Sequence, residues 1–282
     1  MIFWIASYPK SGNTWLRSLL SSYLYSKDGI FDQSLLSKIG QFPEKKYFNN
    51  FDYDPSIITD TSKFWIKAQE KINKDKTIKF FKTHNILGAI NGNNFTNTQN
   101  TMGCIYIVRD PRNVITSLKN HYEMNDDEAL SFMMKENKFI YDHHSTNDYS
   151  DFQFISSWEK NYKSWIDQNI LPVKLVKYEN LYDKTFEVFK GIIEFINKLS
   201  NSKKTFDSKK AKNSIKSSTF TELKRIEETD GFLESILSKN ETKKIPFFHL
   251  GPNNDWKKIF NYNFQKKLKK KFNKNLKELD YI

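Results

Sequence analysis

The sequence predicts an α/β fold with a mainly parallel central sheet, helices on both faces and a P-loop-like strand-loop-helix at its start. Three observations carry this. Short β-prone apolar runs at 2–7, in the first half of 77–85, at 103–108 and at 173–177 alternate with stretches of helical periodicity. No internal repeat interrupts the alternation. The polar clusters Tyr8 to Trp15, Lys82 to His84, Arg109 and Tyr178 each follow one of these runs, at the carboxyl end where ligands bind in such sheets. At 282 residues the chain can bury a large core, and one domain spanning 1–282 is expected.

The first element is the run Ile2-Phe3-Trp4-Ile5-Ala6-Ser7, which stops at Tyr8-Pro9. Beyond Gly12, the residues Trp15, Leu16, Leu19, Leu20 and Tyr23 fall at helical spacing. Ser11, Asn13 and Thr14 suit a helix start, and Gly12 lets the backbone turn with its N–H groups facing one hollow. The helix dipole, the unpaired first-turn N–H groups, the charge of Lys10 and two hydroxyls all favour a phosphate there. A nucleotide triphosphate loop of the G-x-x-x-x-G-K-[ST] type is absent, because no glycine precedes Lys10.

What stands instead, Tyr8-Pro9-Lys10-Ser11-Gly12-Asn13-Thr14-Trp15, resembles the 5′-phosphosulfate loop of the sulfotransferases that use 3′-phosphoadenosine 5′-phosphosulfate (PAPS), usually written YPKSGTTW. Asn13 in place of a threonine is the only departure. The resemblance implies that Lys10, Ser11, Gly12, Asn13, Thr14 and Trp15 hold the donor nucleotide.

Segments 31–39 and 63–72 have short amphipathic patterns, separated by a loop-like 41–55. In the next strand, Lys82 and His84 project on one side while Thr83 faces the other. His84 taken alone reads as an ordinary polar residue. Lys82-Thr83-His84, however, matches the K-T-H element in which the family places its catalytic base. The third strand ends in Arg109, with Asp110 suited to a helix N-cap and Pro111 to the first helical position. Ser117, eight residues after Arg109, lies a little over two turns into that helix. An Arg followed eight residues later by a Ser is the family's 3′-phosphate element.

Segments 126–140 and 151–167 read as helices, and Phe154, Ile155, Trp158, Tyr162, Trp165 and Ile166 form a stripe best explained as core. The fourth strand ends in Tyr178-Glu179-Asn180-Leu181, similar to the family's Y-E-D-L, whose tyrosine lies by the adenine; a helix over 184–198 follows. Ser218-Thr219-Phe220-Thr221-Glu222-Leu223 resembles the S/T-x-F-x-x-M segment that lines the adenine, with Phe220 as the stacking candidate. Near the C-terminus, His249-Leu250-Gly251-Pro252-Asn253-Asn254-Asp255-Trp256-Lys257 aligns with the family's R-K-G-x-x-G-D-W-K. Here His249 and Leu250 replace the two cations that hold the 3′-phosphate. Lys243, Lys244, Lys257 and Lys258 are the candidate substitutes. The family's K-x-x-x-T-V-x-x-x-E dimer motif is absent, so the oligomeric state stays open.

Composition bounds the rest. A net charge of +12 implies anionic partners, from small phosphorylated ligands to acidic polymers or a membrane surface, although the lysines of 266–271 read as a solvated helix face. The single cysteine, Cys104, excludes an intrachain disulfide and reads as a small buried hydrophobe. No apolar run approaches the roughly 18 to 20 residues that span a bilayer, and the N-terminal run is too short for a signal peptide. A cytoplasmic location is the expected default. No cluster of His, Cys and carboxylates has metal-ligand spacing, so no metal is expected.

The chemistry that the resemblance implies is sulfuryl transfer from PAPS to a hydroxyl, with PAP as the product and no nucleic acid involved. His84 would take the acceptor proton. Lys10, helped by Lys82, would stabilise the departing oxygen, and Ser117 would hold Lys10 back until the acceptor arrives. The acceptor, whether a small molecule or a glycan or lipid hydroxyl, would be shaped by 31–73, 88–102, 124–150 and 230–246. The alternatives are a nucleotide kinase-like P-loop protein and a basic, non-catalytic module that binds nucleotides or polyanions. A sulfotransferase fold with weakened donor binding is a third.

Overall fold

Strand β1 (Ile2–Ser7) lies inside a four-stranded sheet in which every pairing is parallel. Its neighbours are β2 (Lys79–Thr83) on one side and β3 (Thr101–Val108) on the other, with β4 (Val173–Lys177) beyond β3. The computed structural model describes residues 1–141, 147–238 and 243–282. Parts of the expected acceptor segments 124–150 and 230–246 therefore lie outside the described residues.

Two-residue alternation divides the core. Ile2, Trp4 and Ala6 of β1 face one layer with Cys104, Tyr106 and Val108 of β3, while Phe3, Ile5, Ile105 and Ile107 face the other. The first layer is closed by α2 (Trp65–Ile72), α3 (Pro111–Tyr122), α4 (Asp126–Met134), α5 (Trp158–Ile166) and, near the C-terminus, the short α10 (Trp256–Ile259) and the long α11 (Tyr262–Glu278). Helix α1 (Asn13–Tyr25), α6 (Tyr178–Asp183), α7 (Thr185–Leu199) and α8 (Ser208–Ser217) close the second. The aromatic stripe of α5 is core, as its spacing predicted: Trp158, Tyr162 and Trp165 are buried in the first layer. Helix α11 buries Phe264, Leu268, Phe272 and Leu276 and turns Lys266, Lys267, Lys269, Lys270 and Lys271 outward. A smaller cluster of Phe31, Leu36, Leu223, Phe232 and Phe248 gathers around α9 (Phe220–Asp230).

Two helix expectations are corrected. The helix expected over 126–140 ends at Met134, where the polar run Lys135 to Lys138 begins, and Phe139–Ile140 pairs antiparallel with Gln153–Phe154. The helix expected over 151–167 begins only at Trp158, because Ser157 caps it and Ser156 adopts a left-handed φ of 54°. The 31–39 pattern forms a 3₁₀ segment, Gln33–Lys38, and 63–72 divides into 3₁₀ and α pieces. Among the described residues no helix is long and apolar enough to cross a membrane.

The strand order β2-β1-β3-β4 places the first reversal of winding between β1 and β3. A crevice forms beyond the carboxyl ends of strands at such a point.

Candidate active site

Loop 8–12 leaves β1 at this crevice. Lys10 and Gly12 both take left-handed backbone, with φ of 65° and 98°, which curls the loop ahead of α1. No side chain caps α1, so its first N–H groups face the hollow. Gly12 is needed twice over: its φ disfavours a side chain, and a Cβ there would lie 2.4 Å from Cδ2 of Tyr178. Asn13, the one departure in this loop, turns its amide away from the hollow, donating to the carbonyl of Ile5 at 3.0 Å and to Oγ of Ser7 at 3.2 Å. It braces the loop against β1.

His84 follows β2 and is fixed from three sides. Its N–H donates to Oε1 of Gln153 at 2.6 Å, its carbonyl accepts from Nδ2 of Asn161 at 2.9 Å, and Nδ1 lies 2.7 Å from the carbonyl of Ser7. A carbonyl only accepts, so Nδ1 carries the proton and Nε2 keeps its lone pair. Burial, reinforced by Lys82, lowers the His84 pKa to about 4, which keeps the ring neutral near pH 7.

Arg109, at the end of β3, stacks 4.2 Å above the ring of Tyr178, which opens α6 at the end of β4. Its Nη1 reaches the carbonyl of Lys10 and Oγ of Ser117, both at 3.3 Å. Asp110 and Pro111 cap α3 as their positions predicted. Arg112 takes no part, being locked onto Asp110 and packed on Trp256. The expected contact of Ser117 with Lys10 is absent: Ser117 bonds Arg109, donates to the carbonyl of Asn113 at 3.2 Å and accepts from Nδ2 of Asn254 at 3.1 Å. The Lys10 ammonium lies instead 4.1 Å over the ring of Phe247. Burial lowers its pKa to about 8, opposed by Glu234 and aided by Arg109.

These groups share a cavity of about 1070 Å³. Lys10, Gly12, Asn13, Thr14, Trp15, Lys82, His84, Arg109, Ser117 and Tyr178 line it, and so do Phe220, Leu223, His249, Leu250 and Gly251. Two expected residues do not line it. Ser218 is fully buried at the end of α8, where the helix takes it out of reach, and Ser11 is buried within the loop. None of Lys243, Lys244, Lys257 or Lys258 lines it either. The cause is local: Asp255 caps α10 and turns Lys257 toward Trp256, and Lys243 lies in a backbone pairing with Ser238. Gly251 lets the loop pass Phe220, whose ring would stand 2.3 Å from a Cβ there.

Several contributors carry no sequence signal. Asn254, in place of a glycine, ties Asn113, Thr116 and Ser117 together. His121 lines the cavity one turn beyond Ser117, its pKa lowered to about 2 by burial and by Lys10. Glu234 enters from the segment after α9. Only the spacing of Ser117 and His121, four residues apart on α3, offered a clue.

A sulfotransferase domain model matches residues 2–280 of the chain. The chain belongs to this sulfotransferase family. Rat sulfotransferase 1A1 is 22% identical over 281 residues, covering 98% of this chain and 85% of that protein. Mouse sulfotransferase SULT7A1, solved with PAP, superposes with a TM-score of 0.57 at 20% identity over 99% of this chain and 84% of that one. A retinol dehydratase solved with androsterone and PAP gives 0.54 at 15% identity over 98% and 80%. At these identities the structural likeness establishes the sulfotransferase fold. The motif resemblance seen from Tyr8 to Lys257 thus reflects membership.

Proposed function

We propose that the protein transfers the sulfuryl group of PAPS to a hydroxyl and releases PAP. The observation that carries this reading is a neutral His84 with Nε2 available as a base, sharing one cavity with an uncapped helix N-terminus and Arg109. Arg109 Nε is buried without a hydrogen-bond partner among the described residues, the condition of a donor that serves an anion. The α1 N-terminus with Lys10 and Thr14 would take the 5′ group, and Arg109 with Ser117 the 3′-phosphate. Tyr178, Trp15 and Phe220 offer aromatic surface for the base.

In the reaction the acceptor oxygen forms its bond to sulfur in line as the bridging sulfur–oxygen bond breaks. His84 Nε2 receives the acceptor proton, and the charge left on the 5′-phosphate of PAP meets Lys10 and Lys82. Met124, Phe132, Phe139 and Ile140 line the cavity as well, favouring a hydroxyl on a small aromatic or apolar frame. Incubation with sulfur-labelled PAPS and a panel of phenols, sterols and sugars tests the reading. Labelled product and stoichiometric PAP are expected; no transfer to any acceptor, with PAPS left unbound, would refute it.

A further inference from the structure

Glu234 places a carboxylate in the anion hollow. Its Oε2 accepts from Thr14 Oγ1 at 2.6 Å, and its Oε1 meets Arg17 Nη1 at 2.6 Å and Lys82 Nζ at 2.8 Å. Arg17 is itself pinned by the carbonyls of Leu36 and Ile39, which fixes its guanidinium in place. The glutamate sits on a short arm anchored at its base by buried Phe232 and by the Leu233 N–H, which donates to Oε1 of Gln33 at 2.9 Å. It follows Gly231, which ends α9 with φ 74°, and its neighbour Leu233 is 72% exposed. The Glu234 side chain keeps 20% of its exposure and lines the cavity.

Arg17 and Lys82 are 4% and 17% exposed, and such cations are costly without an anion beside them. Thr14 is also one of the groups that an anion at the α1 N-terminus would use. We propose that Glu234 is an internal occupant of this site, standing where the donor's 5′ group binds, and that the donor enters by exchanging with it. This rests on the sulfotransferase reading only for the identity of the incoming anion. The exchange swaps one counter-ion for another, so Arg17 and Lys82 are never left bare. It also lowers apparent donor affinity by the fraction of molecules in which the arm is out.

The test is calorimetric titration of wild type and Glu234→Gln with PAP, with adenosine 3′-phosphate and with inorganic pyrophosphate. Glu234→Gln should bind PAP and pyrophosphate at least about tenfold more tightly, the gain expected if the arm is in for nine molecules of ten. Adenosine 3′-phosphate, which lacks the 5′ group, should bind both proteins alike. Unchanged or weaker PAP and pyrophosphate binding would overturn the proposal and make Glu234 a strut for Lys82. A gain for pyrophosphate without PAP binding by either protein would uphold the exchange and sink the nucleotide reading. Should Glu234→Gln fail to fold, hydrogen exchange on wild type decides: amides of 232–238 should exchange faster when PAP is added, and slower or unchanged exchange would contradict the proposal.

Discussion

His84 owes its protonation pattern to a neighbouring strand. The Ser7 carbonyl at the end of β1 takes the Nδ1 proton, which commits Nε2 to accepting one. Replacing His84 by Ala should therefore cost about 10² to 10⁴ in turnover while leaving PAP affinity within about twofold. A parallel loss of PAP binding and thermal stability would argue against a catalytic base. Arg109 makes the complementary case. Its Nε lacks a partner among the described residues, and its ring contact with Tyr178 fixes its plane. Arg109→Ala should weaken binding of 3′,5′-bisphosphorylated adenosine about 10- to 100-fold, the worth of a charged hydrogen bond, and bind adenosine 5′-phosphate nearly unchanged. Equal losses for the two nucleotides would remove Arg109 from the 3′-phosphate.

At the scale of elements, the site is a property of three strand ends and one helix start. Loop 8–12 is held by its two left-handed residues, by Asn13 on β1 and by Tyr178 against Gly12. Gly12→Ala adds a side chain where φ disfavours it and where the Tyr178 ring already lies. A loss of more than about 1–2 kcal/mol in unfolding free energy is expected from the backbone alone, with anion binding falling further as the loop is displaced. Denaturant unfolding with and without PAP checks both; a stable variant with intact PAP affinity would show that loop curvature is dispensable.

The strand-loop-helix and the Arg109–Ser117 pairing were legible because their partners lie within eight residues of each other. The Asp110 cap and the α5 core stripe were readable for the same reason. Glu234, Phe247 and Asn254 were not, since each meets its partner from more than 130 residues away. The end of α4 and the start of α5 were misjudged because the pairing of Phe139–Ile140 with Gln153–Phe154 outweighs local helical pattern. The four lysines near the replaced cations in sequence do not line the cavity.

Across the whole molecule, charge gathers unevenly around the cavity. Lys10 faces Glu234, Arg109, Glu227 and Lys82, and lies close enough to depress the pKa of His121. With a pKa near 8, Lys10 is cationic below that pH and loses its charge as the pH rises through it. PAP affinity should be flat from about pH 6 to 7.5 and fall above 8, by up to about tenfold per pH unit for one proton. Binding near pH 8 should take up a proton, because a bound anion favours the charged amine. Titrations in buffers of different ionisation enthalpy would register that uptake, and Lys10→Met should abolish the pH slope. A slope that persists in Lys10→Met would assign the titration to another group.

The most direct measurement of a sulfate-donor site is titration of the wild-type protein with PAP, set beside adenosine 5′-phosphate and Mg²⁺-ATP. A site built from the α1 N-terminus and Arg109 should bind PAP with a defined stoichiometry of one and prefer it over adenosine 5′-phosphate by at least about tenfold, without requiring magnesium. Tighter binding of Mg²⁺-ATP, or equal affinity for nucleotides with and without the 3′-phosphate, would contradict it.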